Sequence, residues 1–195
     1  MKNQKNSLIR KIFIICDVCL LVSAMVVLFS WQWGIYSSIR LTKECVGAIH
    51  ELIPTSQGAA LEERNNNSLA TVSVKNEDFV GIIEFPRFES ELPVCANWGN
   101  LTKYPCLFDG SIYNGSLKIG ATSQKGQYDF YRDINVGDSV LFTDAEGNQY
   151  SLAIKDIRYE KSADETALNK ETAPLVLFVK NVYAFEYIVI YCDVL

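Results

Sequence analysis

Histidine is almost missing from this chain of 195 residues: His50 is the only one. Histidine-rich metal sites are thereby excluded, and any imidazole chemistry must run through that one side chain. An excess of basic charge is missing as well. Eighteen Lys and Arg stand against 23 Asp and Glu, a formal charge of −5. That balance argues against a nucleic-acid partner, whose recognition needs a basic face. Internal repeats, a phosphate loop and Cys/His clusters at metal-ligand spacing are absent too. The sequence implies no cofactor. Hydrophobic residues make up 49% and charged residues 21%, so the chain is not a disordered one. Its length suits one ordinary domain with additions.

What is present first is a long apolar run. Residues 12–33 read IFIICDVCLLVSAMVVLFSWQW, and about 20 apolar residues are enough to span a bilayer. Asp17 lies within two turns of the basic end, where a side chain reaches toward the headgroups. Trp31, Trp33 and Tyr36 gather at the far end as an interfacial aromatic belt does. Lys2, Lys5, Arg10 and Lys11 precede the run. They predict a single-pass protein of the cell membrane, with its N-terminus cytoplasmic and its C-terminal domain extracellular. A cleaved signal peptide is the competing reading. The run is long for that, and no clean small-x-small site follows it. Cys16 and Cys19 make a C-x-x-C inside the run, but a redox role needs a thioredoxin-like context that is missing. They read as two apolar thiols of a membrane helix.

The chain therefore divides into a basic head at 1–11, a transmembrane helix at 12–33, a helical stalk with a polar linker at 34–70, and a β domain at 71–195. In the stalk, Ile39, Val46, Ile49 and Ile53 recur at helical spacing, and Pro54 ends the pattern. His50 reads as an exposed stalk histidine. From residue 71 the texture changes to short runs of Val, Ile, Phe and Tyr between Gly, Asn, Asp and Pro breaks. The runs predict strands at 71–75, 80–85, 117–121, 139–143, 150–157, 174–180 and 186–192. Ala145-Glu146-Gly147-Asn148 predicts a hairpin turn. Strands this short and numerous indicate a β-barrel or sandwich. Beyond the apolar run there are four cysteines, Cys45, Cys95, Cys106 and Cys192. They permit three pairings; Cys95 and Cys106 are near enough for a disulfide that clips a loop, and free buried thiols are the alternative. Asp129, Asp133, Asp138 and Asp144 raise the question of a cation site. Asp138 and Asp144 read more simply as turn residues, and the other two as part of a surface connection, so no metal is assigned.

The order of these segments resembles the sortases, the cysteine transpeptidases of Gram-positive cell surfaces. Asp78-Phe79-Val80-Gly81-Ile82-Ile83-Glu84-Phe85-Pro86 looks like their D-x-x-G-x-x-x-x-P opening strand, followed by Leu92-Pro93-Val94. Pro105-Cys106, Gly110-Ser111, Leu117-Lys118-Ile119-Gly120-Ala121 and Ile134-Asn135-Val136-Gly137-Asp138 come in family order. The stretch from Val140 to Tyr150, then Val176-Leu177-Phe178 and the closing strand to Cys192, complete it. The resemblance implies a closed β-barrel of about seven to eight strands behind an N-terminal membrane helix and helical stalk. It also implies an activity that needs a thiolate nucleophile, a histidine to handle protons and an arginine to steady the oxyanion or the substrate.

None of the three family positions carries its usual residue. Counting back from Gly137, with Ile134, Tyr131 and Tyr128 on the family's apolar positions, the histidine position is Thr122. The cysteine position is Lys180, and the arginine position is Tyr187. A threonine is no base near neutral pH, an ammonium is no nucleophile, and tyrosine carries no positive charge. The expectation is a membrane-tethered sortase pseudoenzyme. Its former groove, lined by Thr122, Lys180, Tyr183 and Tyr187, would hold a sorting-signal-like peptide or a surface protein. Two other readings stand beside it: an active transpeptidase with a displaced nucleophile, and a structural subunit of a surface assembly.

Overall fold

A computed structural model describes residues 2–54, 57–58, 68–182, 184 and 186–195. The chain forms two compact units, Met1–Ser38 and Ile39–Leu195. Helix α1, Lys2–Leu52, is continuous, because nothing before Pro54 removes a backbone donor or fixes an incompatible turn. The part from Cys16 onward is long and apolar enough to cross a membrane. Within the second unit, Thr42, Cys45, Val46 and Ile49 are buried, a stripe at three- and four-residue spacing. The stalk is thus part of the globular unit from Ile39 onward. Most of the expected linker lies outside the described residues. Its Gln57–Gly58 pair (β1) runs parallel to Asn148 and Gln149.

The remaining strands are β2 (Val72–Val74), β3 (Glu77–Phe85), β4 (Ser90–Cys95), β5 (Cys106–Asp109), β6 (Leu117–Thr122), β7 (Ser139–Asp144), β8 (Asn148–Glu160), β9 (Leu175–Lys180) and β10 (Tyr187–Val194). A four-residue helix α2, Glu165–Leu168, interrupts the β8–β9 connection. Pairing runs β8-β10-β9-β6-β5-β4-β3, and β7 joins β3 to β8. The ring is therefore a closed barrel of eight strands, which leaves no open edge among its members. All seven strands expected from the sequence are present. Two more, β4 and β5, carry Pro93 or run to only four residues, which hid them from a period-two pattern. Pro93 fits because β4 meets β5 only at Cys95↔Cys106, so the proline's missing donor interrupts no ladder there.

Alternation along the strands separates an inside from an outside. Leu117, Ile119, Leu177, Val179, Ile188 and Ile190 point into the central core. Tyr128, Tyr131 and Ile134, on the apolar positions of the resemblance, join the same core. Outside, the α1 stripe packs with Phe79, Ile82, Cys95 and Cys106. A second outer cluster packs Leu168 and Ala173 of the β8–β9 connection on Val176, Phe178, Val189 and Tyr191. The β7–β8 hairpin turns on Asp144, whose carboxylate accepts from the backbone N–H of Glu146 and Asn148, each at 2.9 Å, and from Tyr113 Oη at 2.9 Å. Asp138 accepts from Asn135 N–H at 2.8 Å and from Arg87. Both are turn residues as expected, and no group of acidic, Cys or His side chains among the described residues is arranged to hold a metal.

Candidate functional site

Strand register brings the three family positions into one row. Thr122 on β6 is the partner of Lys180 on β9, and Lys180 is the partner of Tyr187 on β10. All three belong to the outward-facing positions, since Ala121, Val179 and Ile188 beside them face the core. Tyr183 lies outside the described residues.

The row is fixed by backbone hydrogen bonds that the neighbouring turns supply. Ser123 N–H donates to the Lys180 carbonyl at 3.0 Å, and Val182 N–H donates to Ser123 Oγ at 3.0 Å. Gln127 is buried; its Oε1 accepts from Thr122 N–H at 2.9 Å, and its amide donates to the Leu101 carbonyl at 3.0 Å. Asn181 closes the β9–β10 connection by donating to Glu186 Oε1 at 3.1 Å. Ser123, Gln127 and Asn181 are positioning residues that the sequence reading missed. Buried amides and hydroxyls leave no periodic signal, and only the folded contacts single them out.

A cleft of about 590 Å³ opens at this end of the barrel, lined by Lys161, Lys180, Asn181, Glu186 and Tyr187 among others. Lys180 is exposed and has no ion-pair partner among the described residues. Thr122 does not line the cleft. It is 4% exposed, and its hydroxyl finds no hydrogen-bond partner among the described residues. Of the expected lining, Lys180 and Tyr187 border the cleft and Thr122 does not, because the turn after β6 folds back over it; Tyr183 lies outside the described residues.

One strand-row further along lies an aromatic patch. Gly120 stands beside Phe178 in register, and the Trp98 ring lies over Gly120, where a Cβ would be 2.5 Å away. Trp98 meets Phe108 at 5.0 Å and Phe178 at 5.8 Å between ring centres. Trp98 and Phe108 stay partly open to solvent, at 39% and 42%.

The groups that catalysis by the usual chemistry would need lie elsewhere. His50 is exposed on α1, with Nε2 2.9 Å from Glu91 Oε2. Cys192 faces the barrel interior opposite Tyr191, and burial pushes its thiol well above the ordinary range. Cys95 and Cys106 are free thiols, fully buried, on the face that packs against α1.

No family profile matches the chain, and no curated protein sequence matches it. Solved structures do. Sortase A from Corynebacterium diphtheriae superposes with a TM-score of 0.52 at 12% identity, covering 83% of this chain and 84% of that one. Sortase C1 from Streptococcus agalactiae gives 0.51 at 15% identity, covering 63% and 70%. Sortase A from Listeria monocytogenes gives 0.50 at 14%, covering 60% and 87%. Identity this low speaks to fold and not to activity. The eight-stranded ring and these superpositions agree: the chain has the sortase fold.

Proposed function

We propose that this protein is a membrane-tethered, sortase-like binding protein of the outer cell surface, which holds a peptide carboxylate or a partner protein's acidic end in the cleft at Lys180. The observation that carries the reading is the row Thr122–Lys180–Tyr187. At the position where the resemblance places the nucleophile, an ammonium with no ion-pair partner among the described residues borders the cleft. Lys161 adds a second positive charge to the lining, and Tyr187 offers a hydroxyl and a ring face. Two ammonium groups against the one carboxylate of Glu186 leave the described lining net positive and partly apolar, which suits a carboxylate next to apolar side chains. Nothing favours a displaced thiol in the cleft, since Cys95, Cys106 and Cys192 are not among its described lining residues and sit in apolar clusters elsewhere. The apolar α1 supports the tether, and the basic residues before it support the outward orientation.

Two measurements test it. Sorting-signal peptides ending in a free carboxylate are titrated into the protein, with chemical shifts read around Lys180 and Tyr187. Lys180→Ala is expected to weaken binding about tenfold, the worth of one charge-assisted hydrogen bond. An absence of shifts at those residues sinks the binding reading. Separately, a transpeptidation assay with an amine acceptor compares the unmodified protein with the triple change Thr122→His, Lys180→Cys, Tyr187→Arg. Turnover by the unmodified protein overturns the non-catalytic reading; turnover only by the triple change supports the assignment of the three positions.

A further inference from the structure

The barrel has one seam much shorter than the rest. Strands β4 and β5 pair in parallel at a single position, Cys95↔Cys106, whereas β6 and β9 pair over six residues. That pairing includes the backbone bond from Cys95 N–H to the Pro105 carbonyl, 2.8 Å. The chain between the two cysteines, residues 96–105, carries Trp98, the ring that lies over Gly120 on the groove face. How firmly this seam is closed sets how firmly Trp98 is held.

The two thiols are placed to close it. Register partners on neighbouring strands are about 4.8 Å apart, inside the span of roughly 4.4–6.8 Å that a disulfide bridges between Cα atoms. Both side chains point to the same outer cluster. Asn100 Nδ2 donates to Cys95 Sγ at 3.5 Å. The Cys106 thiol donates to the Tyr104 carbonyl at 3.3 Å. The neighbouring Cys106 thiol lowers the Cys95 thiol to about 6, and the Cys95 neighbour together with burial raises Cys106. The pair thus divides into an attacking thiolate and a resolving thiol. Cys45 lies in the same cluster, but its sulfur meets Tyr104 Oη at 3.6 Å.

We propose that Cys95 and Cys106 are a dithiol–disulfide pair whose oxidation staples the β4–β5 seam and locks the 96–105 loop, with Trp98, onto the groove face. The oxidant is a disulfide-bearing thiol oxidant. When the seam opens locally and exposes it, the Cys95 thiolate attacks one sulfur of that disulfide, forming a mixed disulfide and expelling the first thiolate. Cys106 loses its proton and attacks the Cys95 sulfur, expelling the second. Cys95 and Cys106 together lose two electrons and two protons, and the oxidant's disulfide becomes two thiols. The proposal stands whether or not the cleft binds a peptide.

The test uses the full chain in detergent, exposed to glutathione disulfide, then denatured with N-ethylmaleimide, digested and weighed. The expected product is a peptide pair joined through Cys95 and Cys106, lighter by two hydrogens and split by dithiothreitol. Cys45→Ser leaves that product intact. Cys106→Ser abolishes it and leaves Cys95 as a glutathione adduct. Alkylation of both Cys95 and Cys106, or a bond from either to Cys45, overturns the pairing. Hydrogen exchange on the oxidised and reduced protein tests the lock: amides of 96–104 are expected to slow about tenfold on oxidation, as when a local opening is closed off. A cross-link that leaves their exchange unchanged overturns the lock.

Discussion

At Gly120 a missing Cβ decides what stands over the groove face. A methyl there would meet the Trp98 ring at 2.5 Å and Phe178 at 2.7 Å. Gly120→Ala therefore pushes Trp98 outward. The expected cost in a denaturant melt is about 1–3 kcal/mol, the range for overpacking, with a shift of indole emission toward the solvated value. The double variant Gly120→Ala, Trp98→Phe should lose the emission change. Asp144 poses the opposite case, a buried carboxylate with its acceptor sites filled by Tyr113, Glu146 and Asn148. Asp144→Ala strands those donors, and a loss of about 3 kcal/mol is expected on thermal unfolding.

A third residue-scale prediction concerns pH. Glu84 and Glu91 are directly opposite on β3 and β4. Desolvation first, then the Glu91 charge, raises Glu84 above its ordinary value, while His50 pulls the other way. A carboxyl whose folded value is raised favours the fold when protonated, so its contribution is lost as pH rises through that value. Glu84→Gln stays neutral throughout. Above the raised value it should be more stable than the parent by about 0.2–1 kcal/mol, the scale of opposed like charges on a sheet. The gap should close on acidification; thermal melts in which it widens instead would contradict the assignment.

The β8–β9 connection shows how one element is tied down. Leu168 is buried on the outer cluster, and Tyr191 Oη donates to the Ala167 carbonyl at 2.6 Å. Arg158 lies 5.4 Å over the Tyr191 ring and pairs with Asp156 and Glu171. Tyr191→Phe removes only the hydrogen bond, worth about 1 kcal/mol. Trypsin should then cut faster at Lys161 and Lys170 while the barrel's melting hardly moves. Leu168→Ala creates a cavity as well, and about 2–5 kcal/mol is expected. The strands were legible for a related reason. Their inward rows are Val, Ile and Leu at period two, whereas β4 and β5 rest on a proline-bearing segment and a single register pair, which no local pattern announces.

For the whole molecule, the three apolar clusters draw, among the described residues, on none before Leu41. Deleting residues 1–38 should therefore leave the melting temperature of the remainder unchanged. On the reading of α1 as a membrane helix, the same deletion should move the protein from the detergent phase to the aqueous phase in a partition assay. A truncated protein that melts early would mean that the first unit supports the second.

The residues by themselves determined that the chain joins a long apolar helix to a short-stranded β domain, because hydropathy and period two are local properties of the sequence. They also determined the residue types at 122, 180 and 187, and with them the absence of a thiol, an imidazole and a guanidinium from those positions. Which of the three reaches a cleft was decided only by the tertiary structure. Register sets them in one row, but the turn carrying Ser123 and Gln127 buries Thr122 and leaves Lys180 and Tyr187 open. The same holds for the cysteines. Sequence spacing allowed a clip between Cys95 and Cys106, and only the parallel pairing of β4 with β5 shows that they meet at the barrel's shortest seam. Contacts between residues far apart in the chain depend on how strands pair, and strand pairing is settled by the closure of the whole sheet.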